Sequence, residues 1–341
     1  MARRDSNDAN PILWIIFLIA LYISTFFIDI PGRTLTGFSF FDTLLSQGAA
    51  LMSRSTLSIV AAALFLAATA VSLHLLNNAF SSGLNYILPL LYLILSLANP
   101  YSIYFTPFHV AALLLVWSIW HFVKFKAATG HMSDLFTALF LLVAASCFYA
   151  PLIWLAPFLL VAGFAYAEGK LRYLATFILA VAGGAAAAFG TLYLFYDFDT
   201  ALAASQRYLG EILAVDIQVP HVSILQAVRD GIIAILVILA MLRNVRNQGK
   251  YKIAESRMLS DVALCTALLF VVMVLFLNDY TLPYNLVVLA PASMVIFGLF
   301  GDSKKTMVTI FSLIVMGLIV AERASHFIML CGVPLIDKLN I

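Results

Sequence analysis

The chain has 341 residues, of which 63% are hydrophobic and 11% charged, and its formal net charge is +2. A soluble domain carries about 25% charged residues, so a mean hydropathy of +1.03 excludes an ordinary water-facing fold. The solvent that fits this composition is a bilayer, with 27 Phe and 14 Tyr suited to lipid and headgroup contacts.

The N-terminal stretch MARRDSNDANPILWIIFLIALYISTFFI sets Arg3 and Arg4 before a long apolar run. No small-x-small cleavage pattern follows near Ile28, so the run reads as an uncleaved first span. At about 20 apolar residues per crossing, eleven segments qualify: 11–29, 55–76, 83–98, 105–123, 132–149, 151–167, 171–196, 223–242, 258–278, 281–300 and 305–321. Segments 83–98 and 151–167 are short. Tyr149-Ala150-Pro151 makes a tight hairpin between the fifth and sixth, because Pro lacks an N–H and cannot continue a helix. The pattern predicts an all-α polytopic membrane protein, a single transmembrane domain over 1–341 with about eleven helices.

Lys and Arg in the connecting loops set the orientation. Of the 19, thirteen fall on one side: Arg3, Arg4, Lys124, Lys126, Lys170, Arg172, Arg243, Arg246, Lys250, Lys252, Arg257, Lys304 and Lys305. Arg33, Arg54, Arg207, Arg229, Arg323 and Lys338 fall on the other, with ten of the 17 acids. This predicts an N-terminus inside and a C-terminus outside. The basic inner loops are explained as topology signals, and no basic face interleaved with aromatics points to nucleic acid.

The outer face has two longer stretches, 30–54 and 197–222. In the first, Phe41, Leu44, Leu45, Gly48 and Leu51 fall at helical spacing, and Ser39 followed by Asp42 offers a capping-box-like start over 39–52. In the second, Leu202, Leu209, Ile212 and Leu213 share a face, with Gln206, Arg207 and Glu211 elsewhere. Both read as short amphipathic helices lying in the outer interface. The small-residue run GGAAAAFG (183–190) reads as a close-packing patch. Cys147, Cys265 and Cys331 share no metal spacing and read as small apolar side chains.

Chemistry-bearing residues gather on the outer face. Asp29 stands at the edge of the first span, followed by Pro31-Gly32 and Arg33. It reads either as a solvated helix end or as a general base of raised pKa, with Arg33 opposing the rise. Asp197 and Asp199 could hold a divalent cation if extended, and diverge if helical. Arg207, Glu211, His221, Arg229 and Asp230 follow as candidate substrate-binding groups. Five Arg to one Lys outside suits bidentate recognition of phosphate, or pairing with nearby acids and headgroups. His109, after Pro107 on an apolar face, reads as a satisfied buried side chain. Asp261 and His74 are the ionisable groups set furthest into spans, both toward the inner ends.

The stretches NYILPLLYLILSLANP (85–100) and SDLFTALFLLVAASCFYAPLIWLAPFLLVAGF (133–164) resemble an uncharacterised family of polytopic inner-membrane proteins from Bacteroidota, over about the middle third of the chain. That resemblance implies a Gram-negative cytoplasmic membrane and no particular activity. In architecture the chain also resembles GT-C-type glycosyltransferases and O-antigen-polymerase-like proteins: N-terminus inside, an acid just outside the first span, amphipathic outer helices. This implies an enzyme using polyprenyl-phosphate-linked sugar at the outer leaflet, with Asp29 in the place of the acid that acts on the acceptor. The first outer loop is shorter here than in that family. A non-catalytic subunit or scaffold of an envelope complex, with membrane-protein partners, is the alternative. A lipid or solute transporter is the third.

Overall fold

The computed structural model describes residues 11–25, 40–41, 56–80, 87–127, 131–213, 224–246, 253–275 and 285–300, with scattered helical positions between 314 and 324. Among these residues the fold is helical and contains no strand. The helices are α1 (Pro11–Thr25), α2 (Thr56–Phe80), α3 (Ile87–Ala98), α4 (Pro107–Lys126), α5 (Met132–Ser146), α6 (Leu155–Phe164), α7 (Lys170–Phe195), α8 (Phe198–Leu213), α9 (Ile224–Arg246), α10 (Ile253–Leu275) and α11 (Asn285–Phe300). Short 3₁₀ turns, Pro100–Ile103 and Ala150–Trp154, lead into α4 and α6.

Three stretches are long and apolar enough to cross a membrane: Thr56–Ala79, Pro107–Lys126 and Lys170–Phe195. Several shorter helices are also apolar. At a rise of about 1.5 Å per residue, the 12 residues of α3 extend only about 18 Å. α3 stops at Ala98 because Pro100 lacks a donor and disfavours helical backbone at the residue before it. The predicted segment 151–167 divides for a related reason: Pro151 sits in a 3₁₀ turn, and α6 begins only at Leu155.

The core is built around α11. Its residues 286–296 are buried without interruption, against α2, α3, α4, α9 and α10. A helix that is apolar on all sides belongs in such a position. Pro291 lies inside it and removes one backbone donor. α7 is its opposite: only 17% of its most apolar stretch is buried, and Leu171, Ile178, Leu179 and Leu194 are exposed. Side chains of this size standing outward along a 26-residue helix need an apolar solvent. Because lipid tails are as apolar as Leu, close packing holds such helices together more than transfer out of solvent does.

Glycines allow two close approaches. A Cβ at Gly184 would come within 2.9 Å of Val143, so the predicted small-residue patch does bring α7 onto α5. A Cβ at Gly163 would collide with the Tyr173 hydroxyl, which donates to the carbonyls of Leu159 (2.8 Å) and Leu160 (3.0 Å). α4 is tied to α5 by Ser118 Oγ donating to Ala138 O (2.7 Å), and to α2 by Trp117 Nε1 donating to Ser72 Oγ (3.1 Å).

Candidate functional site

Of the residues that the sequence nominates, Asp197, Asp199, Arg207 and Glu211 lie on or next to α8. Asp29, Arg33 and His221 lie outside the described residues, and for Arg229 and Asp230 only the α9 backbone is described. The predicted outer helix 39–52 is likewise outside them, except Phe40 and Phe41 in a turn.

α8 has three faces. Ala201, Ala204 and Tyr208 point at the bundle and pack with Ala188, Leu192 and Phe40. Phe198, Leu202, Leu209 and Leu213 form an exposed apolar stripe. Asp199, Gln206 and Arg207 occupy the remaining exposed sector. A helix with one face on protein, one apolar face outward and one polar face has the pattern of an interfacial helix.

The start of α8 is fixed by Asp197. Its Oδ1 accepts the Thr200 N–H (2.8 Å) and its backbone carbonyl accepts the Ala201 N–H (3.2 Å), the arrangement of an N-cap. Hydrogen bonds from Thr200 hold the Asp197 carboxyl below the usual carboxylate range. Asp199 falls in the first helical turn, where a carboxylate complements the helix dipole. The two acids therefore sit on a helix start and diverge. Among the described residues, no group of three or more His, Cys, Asp or Glu side chains is arranged to hold a metal ion. One turn from the end of α8, Arg207 Nε lies 3.5 Å from Glu211 Oε1, an i,i+4 pair. Such a partly exposed pair contributes about 0.3–0.5 kcal/mol.

The underside of α8 is fastened by groups that the sequence does not nominate. Tyr208 Oη and Ser146 Oγ lie 2.6 Å apart, and Ser146 also donates to Val143 O (2.7 Å). Burial raises the Tyr208 phenol above its ordinary value. Trp154 Nε1 donates to Ile212 O (3.2 Å). The Phe40 N–H donates to Cys147 O (2.7 Å), and the Phe40 ring meets Tyr208 edge-on at 5.8 Å.

A second polar cluster fills the corner between α3 and α4. Ser102 Oγ contacts Ser96 O and Asn99 O, both at 2.6 Å. Arg323, 5% exposed, donates from Nη2 to Leu97 O. The carbonyls left over at the end of α3 thus find side-chain donors, and a cation sits at the negative end of the helix dipole. His109 Nε2 donates to Ser102 O (3.0 Å), and its Nδ1 accepts the Thr106 N–H (3.2 Å). Here the imidazole plays the part that Glu or Gln plays in a capping box. Ser58 Oγ accepts the Phe105 N–H (3.0 Å), binding the corner to α2.

The third cluster joins the end of α4 to α10. Lys126 Nζ and Asp261 Oδ1 are 2.5 Å apart, with side chains 8% and 9% exposed. The ammonium also lies 4.4 Å from the Tyr166 ring centroid and 5.7 Å from that of Phe122. On the same α4, His121 Nδ1 lies 2.8 Å from Asp134 Oδ1 of α5. Asp261 already stands out in the sequence as an acid within an apolar run. Its partner does not, since Lys126 reads there as one more inner-loop charge. No protein-family model matches the chain, and comparison with curated proteins and with solved structures finds no similar protein.

Proposed function

We propose that the chain is a multi-pass protein of a bacterial cytoplasmic membrane and serves as a non-catalytic subunit or scaffold of an envelope complex. The observation that carries this reading is the use made of the α8 polar groups. Asp197 caps the helix, Arg207 pairs with Glu211, and Tyr208 is fastened to Ser146. Each acts on the helix itself or on its seat in the bundle. α8 then becomes a rigid ledge at the outer surface, with lipid on its apolar stripe and its polar face turned to membrane-protein partners.

The contact pattern supports the alternation of sides predicted from the loops, and the loop charges make the N-terminal side the inner one. Polar contacts between distant segments join ends that the charge distribution puts on the same side. Ser58 with Phe105, Leu97 with Arg323, Ser146 with Tyr208 and Trp154 with Ile212 are outer pairs. Lys126 with Asp261 and His121 with Asp134 are inner pairs. An alkaline phosphatase reporter fused after 341 is expected to be active, and one fused after Arg246 inactive. The reverse result would overturn the orientation.

A second reading is favoured by the outer excess of five Arg to one Lys. It makes the chain an envelope-glycan glycosyltransferase or polymerase acting on polyprenyl-phosphate-linked sugar, with Asp29 as base and Arg229 on phosphate. Complementation of a deletion strain separates the two. Asp29→Asn and Arg229→Ala, at wild-type protein levels, are expected to leave the envelope glycan profile unchanged. Loss of a glycan species in either variant would replace the scaffold reading with the enzymatic one.

A further inference from the structure

The Lys126–Asp261 cluster has the composition of a cation-recognition site. One carboxylate supplies charge, and two aromatic rings supply faces to which an ammonium is attracted. Asp261 Oδ1 stands 2.5 Å from the ammonium, the Tyr166 centroid 4.4 Å and the Phe122 centroid 5.7 Å. These groups come from α4, α10 and the residues just after α6, so the cage exists only when these three are assembled. Tyr166 is 43% exposed, while Lys126 and Asp261 are buried.

We propose that this cage is a binding site for a primary ammonium and that the protein fills it with its own Lys126. The Lys ammonium is a compact charge on a flexible four-carbon stem, so it reaches the cage from the end of α4 without ordering its backbone further. A free primary amine presents the same three N–H donors and the same charge. When the tethered ammonium is absent, a small alkylammonium entering past Tyr166 takes its place. A quaternary ammonium has the charge but no donor, and it cannot make the short contact to Asp261. The site therefore discriminates by hydrogen bonding as well as by charge.

The test uses the purified full-length chain in mild detergent, with thermal unfolding as readout. The probes are n-propylammonium chloride and, at equal ionic strength, tetramethylammonium chloride. Lys126→Ala is expected to lower Tm, and n-propylammonium to restore at least half of that loss saturably, while tetramethylammonium does not. Adding Asp261→Asn to Lys126→Ala is expected to abolish the restoration. Equal effects of both salts, or restoration that survives Asp261→Asn, would overturn the proposal. Should Lys126→Ala not fold, Lys126→Met, with Asp261 retained, is expressed with n-propylammonium present throughout. Folding that depends on the primary amine supports the cage, and folding independent of it refutes it.

Discussion

Lys126→Ala is expected to destabilise the protein by about 3–5 kcal/mol, and Asp261→Ala by a similar amount, because each leaves a buried charge without its counter-charge. The double replacement Lys126→Met/Asp261→Asn is expected to recover most of that loss. Removing both charges abolishes the mutual attraction, but it also abolishes the desolvation penalty, and such replacements are often neutral. The geometry makes the asymmetry large here: both side chains are under a tenth exposed and the contact is 2.5 Å. Thermal unfolding of Lys126→Met, Asp261→Asn and the variant combining them measures the coupling directly. A double variant whose loss equals the sum of the two single losses would show that the two charges are not coupled.

Helices and contacts differ in how far the sequence reveals them. Apolar runs locate the helices well, since a run of about 20 apolar residues matches the thickness of a bilayer core. Each predicted segment contains helix among its described residues. Run length is a poorer guide to helix length, as Pro151 shows: the apolar run starts there, while α6 begins only at Leu155. The amphipathic character of α8 is legible from Leu202, Leu209 and Leu213. Which face meets protein is not, because small Ala201 and Ala204 carry little apolar signal of their own and matter for how closely they let α7 approach. Asp197 is legible as an acid at a helix end. Periodicity does not say whether its carboxylate faces Thr200 or an ion, since that depends on where the helix begins by one residue.

The polar pairs follow a different rule. Lys126 and Asp261 are 135 positions apart, and Leu97 and Arg323 are 226 apart. No local pattern encodes such a pairing. What sequence does offer is a side: charge in the loops assigns each end of each helix to one face. Polar groups that sit at helix ends can then meet only others on that face. The membrane converts a long-range question into a choice among few partners, because backbone and side-chain polar groups in hydrocarbon must be satisfied within the protein.

His109→Ala is the second large effect expected, at about 2–6 kcal/mol, from two buried backbone groups that each lose a partner at about 1–3 kcal/mol apiece. The groups are the Thr106 N–H, 3.2 Å from Nδ1, and the Ser102 carbonyl, 3.0 Å from Nε2. Water cannot replace the ring readily, since Ser102, Thr106 and His109 are each at most 2% exposed. His109→Gln separates the two contributions. A Gln side-chain carbonyl at the third helical position can reach back to the Thr106 N–H, as in an ordinary capping box. It does not span the further distance to Ser102. Thermal unfolding is therefore expected to rank wild type above Gln and Gln above Ala. Gln and Ala variants of equal stability would show that the Thr106 contact contributes nothing. An Ala variant as stable as wild type would remove His109 from the corner's support altogether and leave the end of α3 held by Ser102 and Arg323.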